Sequence, residues 1–184
     1  MKKRIIFVLF IIIVLFVSLG IYIKTNQNKE SEDHQRNTLI VVNLYYNNAW
    51  TRICGGSAIF NDGSIYTWNL KGEQANFDSN QLNNRKEMEQ YILKNAQKEE
   101  NSISKEDLKK LKNYIKKLSS DEETITLTCI GNDMGSGYYI VWKDDKTSKI
   151  LSINGDCYGS LDNQYAEKIE NISNKYFSKN LDNK

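Results

Sequence analysis

The chain has 184 residues, with 25 Lys and Arg, 23 Asp and Glu, one histidine, three cysteines and no proline. All 23 acidic residues but only 21 of the basic ones lie beyond residue 24, so that part carries a net charge of −2. Nucleic-acid-binding proteins usually carry a basic patch, so this balance argues against nucleic acid as a partner.

The first predicted element is a membrane-spanning helix over residues 5–23, which are 19 residues without a charge. At ~1.5 Å per residue this helix would be about 28 Å long, close to the ~30 Å hydrocarbon core of a bilayer. Residues 2–4 are all basic, and only Lys24 follows the apolar run closely. The positive-inside rule therefore predicts a cytoplasmic tail at residues 1–4 and places the rest of the chain outside the cell membrane. The expected partner of residues 5–23 is thus the lipid bilayer.

A cleaved signal peptide is the alternative, since Ser18-Leu19-Gly20 resembles a cleavage site with small residues. The apolar run continues through Ile23, however, and its length favours a retained anchor. Residues 24–37 are polar without a hydrophobic period, which predicts a flexible stalk. Residues 38–178 are long enough for one domain with its own core, and residues 179–184 form a short tail.

Three strands open the predicted domain. Residues 39–46 are apolar on both faces, which indicates a buried strand. Residues 50–60 predict a second strand with a bulge at Gly55-Gly56. Asn61-Asp62-Gly63 is typical of a hairpin turn, and residues 64–68 predict the returning third strand.

Two helices follow. Asn84 and Glu87 have the spacing of a capping box at the start of the first helix, and Ser104 and Asp107 suggest a similar cap for the second. Six lysines lie on the polar side of the second helix; an anionic membrane could bind them, but an ordinary solvated face is the simpler interpretation.

The sequence then predicts three more strands, at residues 124–130, 137–142 and 149–153, and a last helix from about Asp162 to Phe177. In the first of these strands Ile125, Leu127 and Cys129 alternate with threonines, which indicates one shared face. The order is βββ-αα-βββ-α, so we expect an α+β domain with an antiparallel sheet.

If the last three strands form a meander, the loops at residues 131–137 and 154–160 emerge at the same end of the sheet. Asp133, Met134, Asp156 and Tyr158 would gather there, which predicts a ligand-binding rim. The alternative is that both loops only connect strands. The same geometry favours a Cys129–Cys157 disulfide and leaves Cys54 free; three reduced cysteines are the alternative.

The single histidine, His34, lies in the predicted stalk, which argues against Ser-His-Asp or Cys-His catalysis and against zinc sites with histidine ligands in the domain. No pattern indicates a metal, another cofactor or a catalytic residue. The sequence favours a non-enzymatic binding module outside the cell membrane, of immunity, inhibitor or ligand-binding type, whose partner would be a secreted or envelope protein. Two alternatives stay open: a cell-envelope hydrolase with paired carboxylates, and an accessory subunit of a membrane complex.

Overall fold

The computed structural model describes residues 38–49, 52–118, 125–131, 135–145 and 147–177. The predicted membrane helix at residues 5–23 lies outside these ranges, as do residues 1–4, the stalk at 24–37 and the tail at 179–184. Within the described ranges, every helix is too short or too polar to cross a bilayer.

The described chain forms an α+β domain in which eight antiparallel strands make one sheet, in the spatial order β4-β3-β2-β1-β6-β7-β8-β5. The strands are β1 (Leu39–Asn47), β2 (Ile53–Phe60), β3 (Ile65–Lys71), β4 (Gln97–Lys98), β5 (Thr128–Cys129), β6 (Ser136–Trp142), β7 (Ser148–Gly155) and β8 (Cys157–Ser160). The helices are α1 (Arg85–Asn95), α2 (Lys105–Lys117) and α3 (Gln164–Phe177). Two 3₁₀ turns, Gly72–Ala75 and Ser79–Asn83, join β3 to α1.

Helices cover parts of both faces of the sheet. On one face, α1 packs over a cluster that includes Leu44, Phe60 and Trp68. On the other, α2 and α3 pack over Val41, Ile59 and further apolar side chains. Because successive residues of a strand point to opposite faces, β1 contributes to both clusters, and its continuous apolar run follows from this.

Local sequence signals explain the start of two helices. The Asn84 side chain accepts hydrogen bonds from the backbone N–H groups of Lys86 and Glu87, and its amide donates to Glu87 Oε1 at 2.8 Å. Ser104 Oγ accepts from the backbone N–H of Asp107 at 3.1 Å. The side chains thus bond backbone donors that have no partner inside the helix, so both N-caps form. The second bond of a capping box is replaced, since the backbone N–H groups of Asn84 and Ser104 donate to Gln81 O and to the Tyr176 hydroxyl.

The hairpin between β2 and β3 is also confirmed, since Gly63 N donates to Phe60 O at 2.9 Å and Gly63 has φ +90°. The predicted bulge at Gly55-Gly56 is wrong, because β1 and β2 stay in continuous register there. The glycine is needed for space instead. A Cβ on Gly56 would overlap the carbonyl oxygen of Asn43 and lie 2.7 Å from the Trp68 ring.

The predicted arrangement of the last three strands is wrong in two respects. The strand expected at residues 124–130 is reduced to β5, which pairs with β8 at the sheet edge and not with β6. The segment after β7, expected to be a loop, forms β8. A further two-residue strand, β4, was not predicted. Very short strands depend on pairing with distant residues, which local patterns do not encode.

Candidate functional site

Two of the four residues predicted for a ligand-binding rim can be placed. Asp156 lies at the bend between β7 and β8, and Tyr158 lies on β8 with its side chain exposed. Asp133 and Met134 lie outside the described residues. The loops that carry these pairs do approach each other, since Asp156 N donates to Gly135 O at 3.0 Å.

Two glycines make this approach possible. Gly155 has φ +116°, and a Cβ there would overlap the carbonyl oxygen of Gly135. Gly135 has φ +85°, and a Cβ there would lie 2.7 Å from Tyr46 O. Residues other than glycine rarely adopt such φ values, and here they would also lack space. The bend at Asp156 is therefore held by direct contact between two backbone segments.

A disulfide closes the sheet edge next to this bend. Cys129 and Cys157, the pair favoured by the sequence, lie opposite each other in the β5–β8 ladder, with their sulfurs joined at 2.03 Å. Cys54 is a free, fully buried thiol elsewhere in the sheet. The β5–β8 ladder also pairs Thr128 with Tyr158.

Apolar side chains are exposed around this cross-link. Leu127 is 48% exposed, Ile130 70% and Tyr158 45%, and the backbone N–H of Ile130 donates to Asp156 O at 3.0 Å. We call the outer edge of the sheet that carries Leu127, Ile130 and Tyr158 the disulfide edge. Because Tyr158 pairs with Thr128, Tyr158 and Leu127 lie on opposite faces of this edge. Leu127 and Cys129, which the alternation places on one strand face, are both exposed.

A polar cleft of about 790 Å³ lies between the end of β3, the 3₁₀ turns and α1. Two carboxylates, Glu73 and Glu87, line it together with amides, Lys94 and Tyr91. The sequence did not predict this cleft, because its wall is assembled from three short segments of the polar linker and α1.

The floor of the cleft connects to the buried thiol. The Tyr91 hydroxyl donates to Cys54 Sγ at 3.0 Å. Burial raises the pKa of the Cys54 thiol and also that of the Tyr91 hydroxyl, so both groups stay protonated at neutral pH. Because a thiol acts as a nucleophile only when ionised, Cys54 is a packing residue in this state.

A second buried polar group lies under α3. The Ser152 hydroxyl on β7 donates to Glu170 Oε1 at 2.8 Å, and burial raises the pKa of the Glu170 carboxyl. Tyr139 on β6 is 4% exposed, and burial raises its pKa as well. The Ser152–Glu170 hydrogen bond joins α3 to β7, and the Glu170 side chain is half-buried beside it.

Among the described residues, no group of three or more His, Cys, Asp or Glu side chains is placed to hold a metal ion. Comparisons with protein-family models, with curated proteins and with solved structures found no match for the chain.

Proposed function

We propose that this protein is a membrane-anchored binding module whose domain contacts a partner protein outside the cell membrane through the disulfide edge. The uncharged run at residues 5–23 supports a retained anchor. The Cys129–Cys157 disulfide supports an oxidising, extracytoplasmic location, because such bonds are rare in the cytosol. Within this class, an immunity or inhibitor protein against a secreted or envelope protein fits the size and the anchor.

The observation that carries the proposal is the concentration of exposed apolar side chains along one edge of the sheet, on both of its faces. Five large apolar side chains are exposed in the described parts of the chain, and three of them form the disulfide edge. Scattered apolar residues are normal on a protein surface, whereas a local group of them marks an interaction site. Burying one such side chain contributes about 1.5–3 kcal/mol, so a partner that contacts both faces of this edge and covers all three gains enough for the centre of an interface.

The cross-link makes this edge suitable for binding. Because the disulfide holds β5 against β8, the three side chains are fixed before a partner arrives, and less conformational entropy is lost on association. A partner protein is favoured over a small ligand, since the exposed apolar side chains flank the outermost strand of the sheet, whereas small ligands are usually bound in cavities.

Site-specific photo-crosslinking in cells tests the proposal. A benzoyl-phenylalanine at position 130 should give an adduct of defined mass, whereas the same group at Leu93, an exposed apolar position on α1, should not. The partner identified from the adduct should bind the purified wild-type chain, and Ile130→Asp should weaken that binding at least ~10-fold. Equal labelling from positions 130 and 93, or unchanged binding by the Asp variant, would contradict the proposal.

A second candidate, a cell-envelope hydrolase, is favoured by one observation: Glu73 and Glu87 line the same cleft. Glycoside hydrolysis uses two carboxyl groups facing one bond. Release of reducing sugars from purified cell-wall polysaccharide by the wild type, and its loss in both Glu73→Gln and Glu87→Gln, would establish this function. The third candidate, an accessory subunit of a membrane complex, requires that exchange of residues 5–23 for an unrelated anchor abolishes function.

A further inference from the structure

Helix α2 carries a row of lysines along one side. Lys105, Lys109, Lys112 and Lys116 follow one another at spacings of four, three and four residues, which places them on one face of the helix. Lys112 is half-buried, and the other three are exposed. At ~1.5 Å per residue the row is about 16 Å long. We call these four residues the lysine stripe.

Both acids of α2 have partners away from the stripe. Glu106 pairs with Lys110, whose Nζ lies 2.6 Å from Glu106 Oε1, and Asp107 accepts a hydrogen bond from the Tyr176 hydroxyl on α3 at 2.8 Å. The helix has six lysines and two acids, whereas the other described residues carry ten basic and thirteen acidic side chains. The positive charge of the described chain is therefore concentrated on this one helix.

The stripe works against the stability of its own helix. Like charges three or four residues apart destabilise a helix, and the stripe contains three such pairs. Burial and the charge of Lys116 lower the pKa of Lys112, while Asp62, whose carboxylate accepts from the Ser64 hydroxyl, raises it. An anion in front of the stripe would relieve this repulsion, which a solvated face alone leaves in place.

Helix α2 crosses the strands at one end of the sheet. Just before the helix, the backbone N–H of Ile103 donates to Gly63 O in the β2–β3 turn at 3.0 Å. Just after it, the carbonyl of Leu118 accepts from Lys143 Nζ, which follows β6. Since β3, β2, β1 and β6 are neighbours in the sheet, the helix runs along this end across four strands.

The chain enters the domain at the same end. β1 begins at Leu39, which pairs with Phe60 at the end of β2. The backbone N–H of Asn61 donates to Thr38 O at 2.7 Å, and the Asn61 carbonyl accepts from Lys112 Nζ at 2.9 Å. A single residue, Asn61, thus connects the entry point of the chain to the lysine stripe.

Acidic side chains near the entry point have partners within the domain. Glu89 on α1 accepts a hydrogen bond from the Leu39 backbone N–H at 2.7 Å and pairs with Arg85 at 3.3 Å. Arg85 also pairs with Asp145, in the turn after β6. These carboxylates are engaged inside the domain, and the exposed ammonium groups of the stripe can meet an external anion.

We propose that the lysine stripe lies against the anionic lipid headgroups of the membrane that holds the protein. This inference rests on the retained anchor of the proposed function and does not involve the disulfide edge. The predicted stalk at residues 24–37 would span roughly 20 Å as a random coil, so it keeps the entry end close to the bilayer. Lysine side chains near an anionic lipid surface are attracted to it over about 10 Å at 0.1 M salt.

The contact is electrostatic and leaves the helix at headgroup level. Leu111 and Ile115, on the apolar side of α2, are buried in the core of the domain and are not free to enter the bilayer. An ordinary solvated face is the simpler interpretation of the sequence alone. The position of the whole helix at the entry end of the sheet is what favours the membrane.

Lysine footprinting of the full chain in lipid nanodiscs tests the inference. One sample contains phosphatidylcholine only, and the other contains two parts phosphatidylcholine to one part phosphatidylglycerol. Acetylation by a neutral reagent, followed by mass spectrometry, should be at least ~3-fold slower at Lys105 and Lys109 in the anionic nanodiscs. Lys71, exposed at the opposite end of the sheet, where it pairs with Ile53, should react equally in both. The protection should disappear at 1 M salt, where screening acts within about 3 Å.

Two matched variants separate the stripe from charge in general. Lys109→Gln/Lys116→Gln removes two exposed lysines of the stripe and should restore the reactivity of Lys105 in anionic nanodiscs. Lys94→Gln/Lys98→Gln removes two exposed lysines elsewhere and should leave Lys105 protected. Restoration by both variants, or by neither, would contradict a specific role of the stripe.

The outcomes also separate this inference from the anchor. A chain that does not enter nanodiscs would refute the anchor and this inference together. A chain that enters them but shows equal Lys105 reactivity in both lipids, or equal slowing at Lys71, would refute this inference alone. Protection of the stripe by soluble polyphosphate but not by anionic lipid would assign it to a soluble polyanion and would likewise overturn the membrane contact.

Discussion

Removal of the disulfide should destabilise the domain by an amount set mainly by the unfolded chain. Cys129 and Cys157 are 28 residues apart, and the chain-entropy model then gives about 3.6 kcal/mol at 25 °C. Cys129 is exposed and Cys157 half-buried, so a Cys129→Ser/Cys157→Ser variant leaves no large cavity to add to this cost. Since a domain of about 140 residues has an unfolding entropy near 0.3 kcal/mol/K, the melting temperature should fall by about 12 °C.

Calorimetry of the domain from residue 38 onward measures this fall. The wild type in a strong reductant should melt at the temperature of the double serine variant, and the variant itself should not respond to the reductant. Cys54 is present in all samples and is buried, so it acts as an internal control for nonspecific thiol effects. A fall below about 3 °C, equivalent to less than ~1 kcal/mol, would refute the idea that the cross-link stabilises the domain and fixes the disulfide edge.

Three further outcomes are expected. Gly56→Ala should cost about 1–3 kcal/mol by urea denaturation, because its Cβ would overlap the Trp68 ring and the Asn43 carbonyl oxygen. Gly55→Ala should cost less, because its Cβ would lie 3.2 Å from its nearest neighbour, Trp68 O, and a small shift relieves that contact; equal costs would contradict this. Since burial raises the pKa of Glu170, the wild type loses stability as pH rises above the ordinary value of 4.5, so Glu170→Gln should gain more relative to it at pH 7 than at pH 4; a gain independent of pH would contradict the assignment. The Cys54 thiol should react with a thiol reagent only on unfolding, and rapid labelling of the native protein would show that it is accessible.

The parts of the fold that local interactions determine could be predicted from the sequence. The caps of α1 and α2 depend on residues three apart, Asn84 with Glu87 and Ser104 with Asp107, and both form. The β2–β3 hairpin likewise depends on one short turn around Gly63. In each case the residues that specify the structure are also the residues that contact each other.

The arrangement of the later strands could not be predicted in the same way. The alternation at Ile125, Leu127 and Cys129 is typical of a strand with one buried face, but the segment lies at an edge, where a disulfide contributes to holding it. The pairing of β6 with β1 joins residues about 100 positions apart, and the sequence pattern of either strand is compatible with several neighbours.

For the candidate surfaces, too, neighbours within one segment could be predicted from the sequence, and neighbours from distant segments could not. Tyr158 and Asp156 could be proposed as neighbours because they lie in one loop-like segment rich in glycine. The polar cleft could not, because the end of β3, the two 3₁₀ turns and α1 form its wall and only the fold brings them together.

The two edges of the sheet differ in a way that supports a partner at only one of them. Both end in two-residue strands, which limits unwanted strand pairing. At the β4 edge the exposed residues are Gln97 and Lys98, a polar and a charged side chain of the kind that natural proteins use to protect an edge. At the β5 edge, by contrast, Leu127 and Ile130 are exposed on either side of the strand, and a disulfide holds them there. An unprotected apolar edge on a free domain would favour aggregation, which supports the proposal that a second protein covers this edge.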